Sequence, residues 1–390
     1  MKAADYGLHT RAVSAFVSTN SICQGQQVPI LWPLIFKSGH EITFAHTSFK
    51  WSNLASHNAG VTVAIVAISN QAGQVRRLFS LNDEGKTIVR EASNINAYLV
   101  PAPDFMVSKR STPLSHLAHM NYGNYPGDGN HLTLNGYERQ QLLTRSPALH
   151  RFVRPVYGAQ EFIRGLSRYC LWIDDSDLTE ARADPEIARR IDEVRKTRLA
   201  SRDGSLNKLA GRSHQYRDRN TAKRHLILVP TVSSEQREFI PTDVMSSAAV
   251  TTNQAFALYD APLWNMALIA SRLHLVWVAT VCGKMKTDFR YSNTLGWNTF
   301  PVPTLTEKNK ADLTRCAEDI LLAREAHFPA TIADLYDPKK MPANLRAAHD
   351  HNDEVLERIY IGRRFRNDTE RLEKLFEMYT KMTSKPKARA

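Results

Sequence analysis

The sequence lacks the features that mark secreted, disulfide-bonded and membrane-spanning proteins. Its four cysteines lie far apart with no CxxC pair, which argues against a disulfide scaffold and a zinc cage and is typical of a reducing cytosol. The strongest apolar stretch, residues 61–68, is far shorter than the roughly 18 residues of a membrane span. The N-terminus has no apolar signal core. We therefore expect a cytoplasmic protein with no membrane contact.

Motifs for phosphoryl, hydride and acyl transfer are also missing. The sequence has no Walker-type phosphate loop, no strand–GxGxxG–helix unit and no GxSxG elbow, and no carboxylate pair resembles a nuclease metal site. The glycine-rich stretch 123–129 contains a proline and precedes no apolar helix, so it is predicted to be a turn. The triplet 349–351 (His-Asp-His) lacks a third metal ligand at helical spacing, and a solvated helix surface is favoured there. Hence no metal site is predicted.

Positive charge is in excess and is concentrated in one segment. Lys and Arg number 51 against 39 Asp and Glu, a net charge of +12, and residues 195–224 hold ten Lys/Arg against two Asp/Glu. Arginines interleaved with Tyr, His and Asn are typical of a surface that contacts phosphates and offers stacking side chains. A solvated charged loop fits the composition equally well. The candidate DNA-backbone residues of this segment are Arg212, Arg217, Arg219, Lys223 and Arg224.

A second charged stretch, residues 284–290, alternates between charged and other side chains. If it is extended, Lys284, Lys286, Asp288 and Arg290 share one face. Lysine donates to guanine and aspartate accepts from cytosine, so Lys286 and Asp288 could read the two bases of one G·C pair in a major groove. Without further context, an ion pair within a solvated strand is the favoured alternative.

A polar cluster follows a predicted strand at residues 230–241. Its hydroxyl and charged side chains suit contact with a DNA backbone, and the candidates are Ser233, Ser234 and Arg237. A loop that caps itself would have the same composition.

The hydrophobic pattern divides the chain into three regions, of which the first, residues 1–95, is predicted to be α/β. Residues 61–68 suit a central strand that is covered on both faces. Pro29 and Pro33 are expected to break or kink any helix around them. Because no strand precedes the helical pattern at residues 1–6, we expect this sheet to be the end of a larger α/β domain.

The second and third regions are predicted to be mixed α+β (96–303) and helical (304–390). The second is rich in proline and glycine, with a buried strand at 225–229 and a solvated helix that begins at Asp184-Pro185. The third carries apolar residues at helical spacing.

Nine blocks, in order along the chain, resemble the later motifs of adenine-N6 DNA methyltransferases. The branch is that of the fused type II restriction–modification enzymes, in which nuclease, methylase and target-recognition parts form one polypeptide. Several blocks in the right order make the resemblance specific, and it covers nearly the whole chain. The blocks are MKAADY (1–6), AFVSTNSICQG (15–25), FAHTSFKWSN (44–53), FVRP (152–155), GAQEFI (158–163), RYCLW (168–172), VPTVSSE (229–235), RYSNT (290–294) and ADLYDP (333–338).

The resemblance implies a role for each of the three regions. Residues 1–95 would be the C-terminal part of a Rossmann-like methyltransferase domain, 96–303 a DNA target-recognition domain and 304–390 a helical C-terminal domain. Lys286 and Asp288 would fall in the base-reading region, which raises the base-reading interpretation above the ion pair. Phe49, Trp51 and Asn53 would belong to the pocket of the flipped base, because an enzyme that acts on a base must take it out of the stack. Packing of the two aromatic residues beneath a loop is the alternative.

The sequence departs from this family in one large respect. The family's glycine-rich S-adenosyl-L-methionine motif and its Asn/Asp-Pro-Pro-Tyr/Phe catalytic tetrapeptide would lie upstream, and neither occurs in this chain. No catalytic residue is therefore assigned. The resemblance implies double-stranded DNA as partner, together with an upstream catalytic half of the same enzyme.

Three hypotheses follow. The first is the C-terminal portion of a site-specific DNA adenine-N6 methyltransferase of a restriction–modification system, which supplies sequence recognition and part of the flipped-base pocket and is catalytically incomplete alone. The second is a non-catalytic, sequence-specific DNA-binding protein. The third is a decayed remnant without present function. The neighbouring upstream reading frame separates the first hypothesis from the others.

Overall fold

The structure, a computed structural model, describes residues 1–51, 61–82, 84–285 and 288–384. Within these ranges the chain forms an α/β lobe at the N-terminus, a middle region built on three small sheets, and a helical region at the C-terminus. The predicted combination of fold classes is confirmed. None of the helices in these ranges is long and apolar enough to cross a membrane.

The N-terminal lobe consists of one sheet and two helices. Its elements are α1 (Lys2–Leu8), β1 (Ser14–Thr19), α2 (Val28–Lys37), β2 (Glu41–Lys50), β3 (Thr62–Ser69), β4 (Arg76–Leu81) and β5 (Thr87–Ala92). The strand order is β1-β3-β2-β4-β5, and β2 and β4 are parallel while the other neighbours are antiparallel. The predicted central strand is β3, whose side chains are mostly buried between β1 and β2.

Helix α2 differs from the prediction, because the two prolines do not break it. Pro29 lies in the first turn, where the missing N–H has no helical partner to lose. Pro33 lies inside the helix, yet Trp32 and Ile35 beside it are buried, and the Trp32 indole N–H donates to the Ile22 carbonyl at 2.7 Å. Tertiary packing thus outweighs the poor helix propensity of this segment.

The middle region contains seven α-helices and eleven short strands within the described residues. The helices are α3 (Gly136–Arg145), α4 (Ala159–Arg164), α5 (Leu178–Ala183), α6 (Pro185–Leu199), α7 (Gly204–Asn207), α8 (Trp264–Ile269) and α9 (Arg272–Val281). The strands are β6 (Asn121–Tyr122), β7 (Thr133–Asn135), β8 (Val153–Tyr157), β9 (Arg168–Leu171), β10 (His225–Pro230), β11 (Val232–Ser233), β12 (Asp243–Ser246), β13 (Val250–Thr251), β14 (Ala255–Tyr259), β15 (Gly283–Met285) and β16 (Asp288–Arg290). They form sheets in the orders β12-β10-β14-β6, β11-β16-β15 and β13-β8-β9-β7. The predicted buried strand at 225–229 is β10.

Helix α6 begins where the sequence predicted, with the Asp184 carboxylate accepting the N–H groups of Glu186 and Ile187. It is not a solvated surface element, however. Its face of Ile187, Ile191 and Val194 is fully buried in an apolar cluster with β8 and β9. The helix therefore fixes the start of the basic segment, residues 195–224, to the core.

The C-terminal region is helical, as predicted, with α10 (Glu307–Glu325), α11 (Ile332–Leu335), α12 (Ala343–Ile361) and α13 (Asp368–Thr383). Its core is continuous with that of the other two regions, because Phe376 of α13 packs on Trp277 of α9 with ring centroids 5.5 Å apart.

The triplet 349–351 departs from the prediction of a solvated helix surface at His349, which is buried, whereas Asp350 and His351 are exposed as predicted. The His349 ring is fully buried, Nε2 lies 2.9 Å from the Tyr336 hydroxyl, and Nδ1 lies 3.2 Å from the Ala270 carbonyl. Burial lowers the pKa of His349 to about 3, so the ring is neutral. Among the residues that the structure describes, no three His, Cys, Asp or Glu side chains form a metal-binding group.

Candidate nucleic-acid interface

The basic segment 195–224 is ordered, and hydrogen bonds from a buried side chain fix its backbone. Arg198 is almost fully buried, although arginine is among the residues that are least often buried without a partner. Burial lowers the pKa of its guanidinium, yet this group stays charged. Its N–H groups donate to five backbone carbonyls, those of Pro126, Gly127, Leu209, Arg212 and Gln215. Arg198 is thus a structural cation and is not available to DNA.

The C-terminal end of the segment is fixed by two polar side chains from elsewhere in the middle region. The Asp260 carboxylate accepts the backbone N–H groups of Lys223 at 2.8 Å and of Arg224 at 2.7 Å. The Asn124 amide makes two hydrogen bonds to the backbone of Asn220, at 2.6 and 3.0 Å. The backbone is therefore held in place while the side chains of Lys223 and Arg224 remain exposed to solvent.

The three arginines predicted in this segment differ in their surroundings. Arg217 is exposed, with its guanidinium 5.6 Å from the Tyr125 ring centroid. Arg212 is partly buried and donates to the Arg217 carbonyl at 2.8 Å. Arg219 lies 4.3 Å above the ring of Trp172 and donates to the carbonyl of Ile173. Lys223, Arg224 and Arg217 are thus the most accessible of the predicted phosphate contacts.

A second arginine, which no sequence pattern indicated, also packs on the indole of Trp172. Arg154 of β8 lies 5.4 Å from the Trp172 ring centroid, and its positive charge helps to lower the pKa of Arg219, after the larger effect of burial. Arg154 and Trp172 fall in blocks that carry the family resemblance, but only the fold brings them together with Arg219. Two guanidinium groups therefore contact one indole beside the basic segment, and that of Arg219 is also paired with the Asp174 carboxylate at 2.5 Å.

The stretch 284–290 corrects a prediction, because it is not one extended strand. Strand β15 ends at Met285, and β16 returns antiparallel from Asp288, with Lys284 opposite Phe289 and Met285 opposite Asp288. Opposite residues share a face of a hairpin, so Lys284 lies on the face opposite to Asp288 and Arg290. Lys286 lies outside the described residues. The prediction of four charges on one face is therefore wrong for Lys284.

The polar cluster after β10 touches the same hairpin. Strand β11 pairs with β16, so that Ser233 is opposite Phe289, and Ser233 is buried. The Ser233 hydroxyl lies 3.4 Å from Arg237 Nη1, and the Ser234 hydroxyl accepts the N–H of Gln236. The loop thus caps itself, which was the alternative to contact with a DNA backbone. It also lies against the hairpin of the predicted base readers.

The predicted flipped-base residues lie at the C-terminal end of β2. The rings of Phe49 and Trp51 have centroids 6.4 Å apart, Phe49 is half-buried, and Trp51 is 40% exposed. The His46 ring also packs against Phe49, with ring centroids 4.7 Å apart. Asn53 lies outside the described residues. Lys50 lies between these two aromatic residues in the sequence. Its ammonium lies 3.7 Å from the Glu235 carboxylate in the loop after β11. The end of β2 and the hairpin of β15 and β16 are therefore neighbours, which no local pattern in the sequence indicates.

Comparison with known proteins agrees with this arrangement. Three family models match consecutive parts of the chain: the DNA-methyltransferase domain of MmeI at residues 1–80, its target recognition domain at 101–304 and its C-terminal domain at 305–386. The chain is 38% identical over 382 residues to "DNA methyltransferase A" of Bacillus subtilis (strain 168), a match that covers 98% of this chain and 43% of that protein.

A solved structure matches just as extensively. The type IIL restriction-modification enzyme MmeI, solved in complex with DNA, superposes with a TM-score of 0.88 at 34% identity, over 98% of this chain and 51% of the other. The chain thus spans about half the length of both relatives. The resemblance to fused type II restriction–modification enzymes is confirmed. Because the target-recognition model alone covers more than half of its residues, the chain belongs to the MmeI family.

Proposed function

We propose that this chain is the C-terminal portion of a site-specific DNA adenine-N6 methyltransferase of a restriction–modification system. One observation carries the proposal: methyltransferase, target-recognition and C-terminal parts of the MmeI family follow one another along the chain. The ordered basic segment supports it, because exposed Arg217, Lys223 and Arg224 suit DNA phosphates. We keep the division at residues 95 and 303 as part of the proposal, with double-stranded DNA as partner and the cytoplasm as location.

Within this proposal, each predicted group has a task. Phe49 and Trp51 would stack on the flipped adenine, and Asn53 would lie beside them. Asp288 and Arg290, which share a face, would read bases together with Lys286. Arg212, Arg219, Ser234 and Arg237 would support or contact the backbone of the DNA from partly buried positions, and Ser233 would support it from a buried one. Arg154 joins them through its contact with Trp172.

S-adenosyl-L-methionine is the methyl donor that we infer, but the described residues do not fit it. A cleft of about 300 Å³ in the N-terminal lobe is lined almost entirely by apolar side chains, among them Phe16, Val17, Ile22 and Trp32. It offers no charged side chain for the ammonium and carboxylate of the donor. The donor would therefore be held by a catalytic half that is not in this chain, and we derive no chemical step here.

The same cleft supports the proposal of a catalytic partner. Strand β1 is an edge of the sheet, and Phe16 and Val17 on it are 44% and 54% exposed. Exposed apolar side chains along an edge strand, which pairs with β3 on its other side, suit the docking of a further part of the sheet.

Complementation tests the proposal. The upstream half, ending after the catalytic tetrapeptide, is expressed separately and mixed with this chain, labelled S-adenosyl-L-methionine and duplex DNA. We expect adenine methylation only in the complete mixture. Methyl transfer by this chain alone would overturn the assignment. Specific DNA binding without transfer in the mixture would favour the non-catalytic specificity protein.

A further inference from the structure

One carboxylate joins the end of β2 to the reading hairpin. Glu235 Oε1 lies 3.7 Å from the Lys50 ammonium, and Oε2 lies 3.8 Å from the Lys284 ammonium. Lys50 belongs to the N-terminal lobe and Lys284 to the middle region. The backbone N–H of Glu235 also lies 3.4 Å from Asp288 Oδ1 in the same hairpin. Glu235 therefore touches both regions that the proposed function assigns to recognition.

Another anion could take the place of the Glu235 carboxylate in both ion pairs. Both distances are near the upper limit for an ion pair, the Lys50 side chain is 71% exposed, and Glu235 is partly exposed. The pair with the exposed Lys50 contributes about 0–1 kcal/mol. The Lys284 side chain is only 17% exposed, so its ammonium needs an anion as partner. Each carboxylate oxygen faces one ammonium, and two oxygens of a phosphate could meet both lysines in the same way.

The position of the two lysines indicates which anion this is. Lys50 lies between Phe49 and Trp51 in the sequence, and Lys284 packs over Phe289 of the hairpin at 5.4 Å. A backbone phosphate held by both would bridge β2 and the hairpin of β15 and β16, on the hairpin face that carries Phe289 and not on the face of Asp288 and Arg290. Without an anion, the two ammonium groups would repel each other.

We propose that Lys50 and Lys284 form a DNA phosphate site across the two regions, and that Glu235 occupies this site in the free protein. The inference rests on the proposed function, since it takes DNA as the ligand. Incoming phosphate must displace Glu235, so a loosely bound duplex gains nothing from these lysines. A duplex bound in register releases the carboxylate and engages both regions together.

The test uses the full chain and a short duplex of arbitrary sequence, with the dissociation constant measured over a range of salt concentrations. Glu235→Gln removes the built-in anion and frees both lysines. We expect the slope of log K against log salt to steepen by about 0.9, the value for one additional phosphate. Glu238→Gln is the matched control, because it removes the same charge three residues away but releases Arg346 of the C-terminal region. It should leave the slope unchanged.

A double variant decides whether the lysines are responsible. Glu235→Gln with Lys284→Met should return the slope to the wild-type value. An unchanged slope in Glu235→Gln, or a full steepening that persists in the double variant, would overturn the proposal. Should Glu235→Gln fail to fold in a thermal melt, Glu235→Asp, which draws the carboxylate back, must give a smaller steepening of the same sign. If the wild-type chain binds no duplex at all, the proposed function fails; if it binds with a slope insensitive to Glu235, only this inference fails.

Discussion

Asp260 accepts the backbone N–H of Arg224 at 2.7 Å and so holds the end of the basic segment in place. The backbone N–H groups of Lys223 and Arg224 lower the pKa of the Asp260 carboxyl, which means that the ionised form is the one that binds them. Asp260 also has a left-handed φ of 53°. An acidic residue thus organises a surface that we propose to bind DNA, although its own charge opposes that binding.

Removing this carboxylate should weaken DNA binding even though the protein becomes more positive. In Asp260→Ala the Lys223 and Arg224 backbone loses its acceptor, so both cations lose their fixed position and affinity should fall several-fold. A gel-shift or anisotropy titration measures this. Asp192→Ala, an exposed acid of α6 paired with Arg182, is the control and should bind slightly tighter or unchanged. Tighter binding by Asp260→Ala would contradict the organising role.

Replacing Arg198 should destabilise the fold. Arg198→Ala removes the guanidinium donors of five carbonyls, of which those of Pro126, Leu209 and Arg212 keep a backbone N–H. We expect a loss of at least about 3 kcal/mol in the free energy of unfolding. Urea denaturation measures the change. Arg195→Ala removes an exposed arginine from the same helix and should alter stability by less than about 0.5 kcal/mol. If the two variants lowered the free energy of unfolding equally, the hydrogen bonds of buried Arg198 would stabilise the fold no more than an exposed arginine does.

Lys223 and Arg224 should contribute to binding through charge and not through sequence. The variant with both changed to Ala should weaken binding to all duplexes and reduce the salt slope by about 2, roughly 1 for each phosphate contact. The double variant of Lys339 and Lys340, exposed in the C-terminal region, is the matched control for net charge. A slope that falls equally in both variants would place no phosphate at the basic segment.

The C-terminal region should make stability depend on pH through Asp353. Burial raises the pKa of this carboxyl to about 7, although it accepts the backbone N–H of Arg272, and the nearby Glu357 raises it further. In the unfolded chain Asp ionises near about pH 4. Between these values the folded state holds a proton that the unfolded state has lost, so this group's contribution to stability falls as pH rises.

Asp353→Asn should remove that pH dependence while keeping an oxygen for the Arg272 N–H. The variant's stability relative to wild type should rise by about 2 kcal/mol between about pH 5 and about pH 7.5. Urea titrations at both pH values measure it, with Asp350→Asn, an exposed acid of the same helix, as control. A difference between variant and wild type that is constant with pH would refute the assignment.

The elements that could be predicted from the sequence are those whose signals are local. The run 61–68 became the central strand β3, and Asp184-Pro185 became the start of α6, because apolar periodicity and capping act over a few residues. The hairpin of β15 and β16 could not be foreseen, since alternating charges fit one strand and two strands equally well. The start of α6 was predicted, but not that β8 and β9 bury one of its faces.

The site was predictable in composition but not in geometry. Which cations reach solvent depends on partners distant in sequence: Arg219 is held by Trp172, whereas Lys223 is held only by its backbone. The burial of His349 likewise depends on Tyr336 and Ala270, neither of which belongs to its helix. The contact of Lys50 with Glu235 joins the N-terminal lobe to the middle region, and no pattern in either part of the sequence predicts it. The roles assigned to these residues on DNA stay predictions.

A binding selection from a library of duplexes with a randomised central segment tests whether this chain reads a DNA sequence. If these regions read DNA, the chain alone, with no catalytic half and no methyl donor, should enrich one short sequence. That sequence should change at a single position when Lys286 and Asp288 are exchanged together for residues that read another base pair. Recovery of the library unchanged by the wild-type chain would contradict the claim.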